Sequence, residues 1–168
     1  MFEISYRFRA ATIALMQLSD IFLQLGEENF NNLLRGISMG RLKTYQLYDR
    51  VKTRLYLTKL NSETLRKAAP RIWTRLGERD DEFASDVAQA ILISHLDMIR
   101  AVLDHQGIPH EDGFFAKDAE VAGHLQEGWQ QQVWDKFHSV YSGPALLFYI
   151  NHLGWEIAKT TQVFQPAP

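Results

Sequence analysis

The sequence predicts an all-α fold, in which residues 1–168 form a single-domain bundle of six or seven helices around a long buried central helix at about 81–106. Apolar residues recur at helical spacing over most of the chain, and glycine or proline punctuates the ends of these patterns. The hydrophobic share of 46% and the charged share of 23% are typical of globular proteins. One core is sufficient for a chain of this length.

The central helix is the longest helical pattern in the chain, at residues 81–105. From Ala88 onward it has one clearly polar stripe, formed by Ile93, Asp97, Arg100 and Asp104. At ~100° per residue this stripe covers a sector of only about 60°. A helix that is apolar around the rest of its circumference is buried, so other helices must surround it. Asp80 is its expected N-cap, and Gly107 is its expected end.

Four helical patterns precede the central helix, at 8–25, 27–35, 41–60 and 62–76. The first, second and fourth are followed directly by glycine, which readily adopts the conformation that ends a helix. Pro70 lies inside the fourth pattern, so this helix is either kinked there or divided into two short pieces. Residues 2–8 alternate between apolar and polar, which leaves the start of the first pattern open between helix and strand.

Two helical patterns follow the central helix, at 118–141 and 144–164. Gly128 costs the first of these about 1 kcal/mol relative to alanine, so a break there is open. Residues 110–117 have no helical pattern and predict a loop. Its adjacent residues Phe114 and Phe115 either form part of a binding loop or fold back onto the bundle. The tail 165–168 is expected to fray.

Charge is distributed very unevenly along a chain whose net charge is −2. Residues 35–79 carry twelve basic and three acidic side chains, a net +9, whereas residues 80–168 carry four basic and thirteen acidic side chains, a net −9. Residues 1–34 contribute the remaining −2. A basic surface favours an anionic partner.

We therefore expect helices 41–60 and 62–76 to contact such a partner. The candidate residues are Arg41, Tyr45, Lys52, Tyr56 and Lys59 on the third helix and Lys67, Arg71 and Arg75 on the fourth. Phenol rings among positive charges suit phosphate contacts with base stacking, and guanidinium groups suit carboxylates and phosphates. The partner is an acidic protein surface, a second copy of the chain or nucleic acid, although no nucleic-acid-binding signature supports the last. Alternatively, the basic half pairs with the acidic half of its own chain.

A second hypothesis is centred on His95, which lies on an apolar arc of the central helix with Ser94 on an adjoining side and Asp97 nearby. A buried imidazole needs hydrogen-bonding partners. His95 is therefore either a core residue bonded to a backbone carbonyl or an asparagine, or part of a polar pocket with Ser94 and Asp97. Such a pocket, with aromatic walls, would suit a helical-bundle enzyme or a protein that binds a small ligand or a metal.

Three pairs have the spacing of metal ligands on a helix: Glu120 and His124, Asp135 and His138, and His152 and Glu156. All three pairs fall on polar helix faces, so we expect solvent-facing residues and no metal or other cofactor. The absence of cysteine excludes disulfides and thiolate chemistry. The chain also lacks the GxGxxG, P-loop, GxSxG and HExxH motifs. We expect a binding protein rather than an enzyme.

The N-terminus has one feature of a signal peptide, because Arg7 and Arg9 precede the apolar run 10–18. Glu3, Gln17 and the lack of a small-x-small cleavage site argue against this interpretation. No run approaches the ~18 apolar residues that a membrane span requires. We therefore expect a cytoplasmic protein with no membrane partner.

Overall fold

The computed structural model describes residues 16–44, 62–116 and 120–168, and the structural statements below concern these ranges. They contain the α-helices α1 (Leu18–Leu25), α2 (Glu27–Arg35), α3 (Met39–Thr44), α4 (Ser62–Gly77), α5 (Asp81–Ile93), α6 (Leu96–Gln106), α7 (Trp129–Phe137) and α8 (Gly143–Ile157). A short 3-10 helix spans Ala122–His124. The strands β1 (His110–Glu111) and β2 (Phe114–Phe115) form a small antiparallel sheet. The predicted all-α class is confirmed.

Two helices occupy the centre of the bundle. α5 packs against α1, α3, α4, α6 and α8, as the sequence predicted for this stretch. α8 packs against α1, α2, α5 and α7, and its buried residues are spread around its circumference. The Ser142 hydroxyl caps α8 by accepting a hydrogen bond from the Ala145 amide (3.5 Å), and Pro144 lies in its first turn. Phe148 of α8 stacks on Phe22 of α1 with ring centroids 4.7 Å apart.

The predicted central helix is not continuous, because Ser94 and His95 separate α5 from α6. The Ser94 hydroxyl donates to the Ala90 carbonyl (2.9 Å) and accepts a hydrogen bond from the Ser38 amide (2.8 Å). His95 leaves the helical region at φ −125° and ψ 34°, and its amide bonds to the Leu92 carbonyl three residues back (3.0 Å). A side chain that bonds to backbone in this way competes with the helix.

α1 starts later than predicted. Gln17 is extended (φ −88°, ψ 159°), and its amide donates to the Asp20 carboxylate (2.9 Å) in the first turn. The helix therefore begins at Leu18, and the rest of the predicted first helix, with residues 2–8, lies outside the described residues.

α2, α3 and α4 agree with their predicted patterns to different extents. α2 ends before Gly36 as predicted. α4 continues as one helix through Pro70, which excludes the alternative that this proline divides it into two short pieces. α3 covers the start of the predicted helix 41–60, whose remainder lies outside the described residues.

Residues 110–117, predicted as a loop, instead contain the β1–β2 hairpin. His110 pairs with Phe115 and Glu111 with Phe114. The two turn residues, Asp112 and Gly113, both have positive φ, at 51° and 92°. This is the geometry that the twist of a two-residue hairpin requires, and Asp-Gly is one of its preferred sequences.

The hairpin lies directly on α6. A Cβ atom added at Gly113 would lie 3.3 Å from Ile99 Cγ2, so the turn packs against the helix without a side chain between them. The Gly113 amide donates to His110 Nδ1 (3.1 Å), which leaves His110 Nε2 to donate to the Asp104 carboxylate (2.7 Å). These contacts fix the position of both phenylalanines.

The predicted helix 118–141 is divided. Gly128 has φ 77° and directly precedes α7, so the predicted helix does break at this glycine. α7 ends at Phe137, and residues 117–119 lie outside the described ranges.

The last predicted helix ends early, at Ile157, and the tail beyond it is held in place. Asn151, which is buried, accepts a hydrogen bond from the Phe164 amide (2.6 Å) and donates to the Phe164 carbonyl (3.1 Å). The Ala167 amide donates to Gln131 Oε1 (2.9 Å), so the prediction that residues 165–168 fray is wrong. None of the helices in the three described ranges combines the length and apolar character needed to cross a membrane.

Candidate functional site

A groove opens between α5, the start of α6, α8 and the hairpin. Its volume is about 540 Å³, which lies within the range of pockets that hold small organic molecules. Its apolar lining comes from Leu18 of α1, from Ala88, Leu92, Ile93, Leu96 and Ile99 of α5 and α6, and from Phe114, Phe115, Tyr149 and Trp155. Large aromatic side chains therefore form much of two walls.

The aromatic walls are held by contacts outside the groove. Trp155 Nε1 donates to the Met16 carbonyl (2.8 Å), which fixes the indole plane. Phe114, at the rim, remains 49% exposed, whereas Phe115 is half-buried and packs on the core. The two phenylalanines therefore differ. Phe114 lies at the open rim of the groove, whereas Phe115 folds back onto the bundle.

A histidine and a glutamate one turn apart on α8 face this groove. His152 Nδ1 lies 3.5 Å from Glu156 Oε2, and the His152 side chain is only 14% exposed. Burial lowers the pKa of His152 to about 4, so its ring is neutral near pH 7. The imidazole lies beside the rings of Phe148 and Trp155, with centroids 5.9 Å and 5.8 Å away. The expectation that His152 faces solvent is therefore wrong.

The ionisation of the other two groups on this helix is also shifted by burial. Burial raises the pKa of Glu156, and the charge of Lys159 opposes this effect. Burial also raises the pKa of Tyr149, with a further contribution from the Glu156 charge. Tyr149 therefore stays a neutral phenol, and the charged form of Glu156, whose side chain is 48% exposed, is partly desolvated.

The polar edge of the groove is formed by α5. Asp81, Ser85 and Gln89 follow one another at i, i+4 and i+8, and all three are exposed and line the opening. Asp81 and Glu156 are the acidic residues of the lining, and among the residues described no lysine or arginine joins them.

The predicted pocket residues lie at the α5–α6 junction rather than in the groove. The Asp97 carboxylate lies 3.3 Å from Arg41 Nη2 and 3.0 Å from Arg100 Nη2. His95 packs against Gly36, where an added Cβ atom would lie 3.2 Å from His95 Nε2, and burial lowers the pKa of His95. Together with the Ser94 bond to Ser38, these contacts join α3 to α5 and α6. The structure thus brings Arg41 of the predicted basic surface onto Asp97 of the predicted pocket.

Most described candidates of the basic surface contact acids of the same chain. Lys67 lies 3.1 Å from Glu63, and Arg75 contacts Glu78 as well as Asp80 (2.6 Å). Arg71 is exposed and has no ion pair within the described ranges. The remaining candidates, Tyr45, Lys52, Tyr56 and Lys59, lie outside them.

Sequence reasoning missed one basic site. Arg35 of α2 and Arg66 of α4 line a small surface cavity of about 150 Å³, together with Asn31 and Pro70. Both arginines are exposed. The pairing of α2 with α4 creates this cavity, so neither helix pattern alone could have indicated it.

The other pairs with metal-ligand spacing are used locally or are exposed. Asp135 accepts a hydrogen bond from Gln131 (2.9 Å), and His138 Nδ1 lies 2.8 Å from the Trp134 carbonyl. Glu120 is exposed, and His124 is half-buried. Within the described part of the chain, no three His, Asp or Glu residues converge in a way that could hold a metal ion.

Comparison with protein-family models, with curated proteins and with solved structures gives no match to this chain. Its function is therefore argued from the geometry of the groove and of the charged surfaces.

The groove was missed for two reasons. Asp112 and Gly113 carry a hairpin signal that sequence reasoning had not used, and the hairpin forms one wall. His152 was assigned to a solvent-facing stripe although α8 is apolar on nearly every side, which is typical of a helix with little solvent-facing surface.

Proposed function

We propose that this protein binds a small, largely apolar organic molecule in the groove between α5, α8 and the hairpin. The observation that carries the proposal is the convergence of aromatic walls on a cavity of about 540 Å³ that contains the largely buried His152 imidazole beside the Glu156 carboxylate. Binding pockets combine this size and apolar character with a few polar groups that orient the ligand. The pocket differs from the one predicted around His95, but it belongs to the same class of function.

The polar groups would act as fixed hydrogen-bonding partners. A neutral imidazole offers one donor and one acceptor, and the carboxylate of Glu156 accepts. Trp155 and Phe115 supply flat apolar surface whose burial by a ligand is favourable at about 25 cal/mol per Å². Phe114, at the rim, is 49% exposed and would lose exposed surface when a ligand enters.

The proposal is tested by calorimetric titration with 1-naphthalenemethanol, a neutral aromatic probe. Binding should show a negative heat-capacity change, because apolar surface is buried. Gln89→Trp, at an exposed lining position, should fill the groove and weaken binding at least about tenfold. The matched control is Gln132→Trp, at an exposed position of α7 outside the groove, which should leave binding unchanged. Equal binding by the two variants, or no binding by the native chain, would contradict the proposal.

We propose, as a second function, that the basic surface contacts an acidic protein surface, including that of a second copy. It is supported by the convergence of Arg35 and Arg66 on one cavity and by Arg71 on the same helix as Arg66. Guanidinium groups from two helices can bind one carboxylate in a fork geometry.

Sedimentation velocity at low and high ionic strength tests self-association. Salt should dissociate the oligomer, and Arg66→Glu with Arg71→Glu should abolish it. Exposed Lys136→Glu is the control, since Lys136 lies on α7, away from these arginines. A chain that stays monomeric and binds duplex DNA instead would move the proposal to nucleic acid.

A further inference from the structure

We propose that the groove selects an organic cation, namely a protonated amine that carries an aromatic or similarly flat apolar body. This inference rests on the proposed ligand-binding function and names the chemical class of its ligand. It follows from the charge of the lining, from the absence of a lysine or arginine beside Glu156 among the described lining residues, and from the aromatic walls.

Among the described residues, the charged side chains that line the groove are all acidic. Asp81 lies at the start of α5 and Glu156 near the end of α8, so carboxylates stand on two walls. Lys159 is the cation nearest in sequence to Glu156, but its ammonium group donates to the backbone carbonyl of Glu156 (3.0 Å), and Lys159 does not line the groove. An anionic ligand would be repelled by these carboxylates, and a cation would be attracted.

Within the described ranges, no lysine or arginine lines the groove beside Glu156. His152 Nδ1 lies 3.5 Å from the Glu156 carboxylate, and this imidazole is uncharged near neutral pH because burial disfavours its protonation. A partly desolvated carboxylate without a counter-ion is unfavourable. An ammonium group bound beside Glu156 would remove this cost, so part of the binding free energy would come from relief of an unfavourable state of the free protein.

The aromatic residues favour the same ligand. Trp155 and Tyr149 line the wall on which Glu156 lies, and the faces of such rings attract cations within about 6 Å. An ammonium group carries only hydrogen-bond donors, and the groove offers acceptors in Glu156 and in the side chains of Ser85 and Gln89. The apolar body of the ligand would then lie against Leu92, Leu96 and Phe115.

Three probes with one ring system and different charges test the inference: 1-naphthylmethylamine, 1-naphthalenemethanol and 1-naphthoate. Calorimetric titration at neutral pH and low salt should give affinities in the order amine, alcohol, carboxylate, with the amine about tenfold tighter than the alcohol. Added salt should reduce this ratio.

Glu156→Gln should lower the amine-to-alcohol ratio several-fold, because the amine loses its counter-ion whereas the alcohol loses at most one hydrogen bond to this side chain. Asp81→Asn should reduce the ratio less, since Asp81 lies at the exposed opening. The control is Glu127→Gln, an exposed acid that does not line the groove, and it should keep the native ratio. Glutamine has the shape of glutamate and Glu156 is 48% exposed, so folding is preserved.

The outcomes separate the two proposals. Equal affinity for the amine and the alcohol, or tightest binding of the carboxylate, overturns the cation preference and leaves the ligand-binding function standing. A cation preference that is undiminished in Glu156→Gln overturns the assignment to this residue. Failure of all three probes to bind contradicts the ligand-binding function itself.

Discussion

Two histidines whose pKa is lowered by burial, His95 and His152, lie in different settings, one at the α5–α6 junction and one in the groove. At the junction, the polar neighbours are already used, because Ser94 bonds to Ser38 and Asp97 pairs with Arg41. In the groove, His152 has Glu156 as its polar neighbour, and both side chains face a cavity. Burial of a histidine alone therefore does not indicate a binding site. A better indication is a buried polar group that borders a cavity and keeps hydrogen-bonding capacity, as His152 does.

The largest expected effect is a pH dependence of stability that arises from His152. Its pKa is about 4 in the folded protein and 6.5 when exposed, so the unfolded state binds more protons between these values. The stability due to the neutral ring is therefore lost as pH falls from about 6.5 to about 4, by about 3 kcal/mol. Urea unfolding of the native chain and of His152→Gln should diverge in this window. Exposed His138→Gln should follow the native curve.

Ser94→Ala should destabilise the fold by about 2 kcal/mol, because the Ser38 amide loses its acceptor at a packed junction. Binding of a naphthyl probe should not change, since Ser94 does not line the groove. Ser85→Ala, on the exposed edge of the groove, is the converse variant, with a stability change below about 0.5 kcal/mol. Weakened probe binding in Ser94→Ala at full folding would show that the junction and the groove are not independent.

Glu156→Gln should change the pH profile in the direction opposite to His152→Gln. The pKa of Glu156 is raised in the folded protein, so its contribution is fully present below the pKa of an exposed glutamate and is lost as pH rises through the folded value. Glutamine removes this loss, and the variant should gain stability relative to the native chain as pH rises through this window. If the stability of the native chain and that of Glu156→Gln changed with pH in parallel, Glu156 would be well solvated in the folded protein.

The smallest effect is expected at the ion pair between Arg41 and Asp97. Both side chains are at least one-third exposed, so Arg41→Ala should cost less than about 1 kcal/mol. A larger loss, measured by urea unfolding, would show that α3 is held to the junction mainly through this pair rather than through the Ser38–Ser94 bond.

The helical class followed from the sequence because apolar spacing and glycine stops are local properties. α2 shows this best, since the bounds of this helix and its end before Gly36 agree with its pattern. The break at Ser94 could not be predicted in the same way, because the competing bond comes from Ser38, which is distant in sequence.

The candidate site was predicted less well than the fold. The groove requires Asp112 and Gly113 to turn the chain over α6, and it requires α5 and the hairpin to cover a polar position on α8. The Asp-Gly pair indicates the hairpin turn in the sequence itself. The burial of a polar position on α8, by contrast, depends on which helices pack together. Of the basic candidates, Arg41 lies on α3 and Lys67, Arg71 and Arg75 lie on α4, but the acidic partners of these helices could not be assigned without knowledge of the contacts.

The bond from Trp155 to the Met16 carbonyl spans 139 residues. Such a contact forms at a large cost in loop-closure entropy, which local helix formation does not share. The wall of the groove that contains the indole is therefore completed only when the distant segments around α1 and α8 have met. During synthesis, the groove therefore cannot be complete before α8 has left the ribosome.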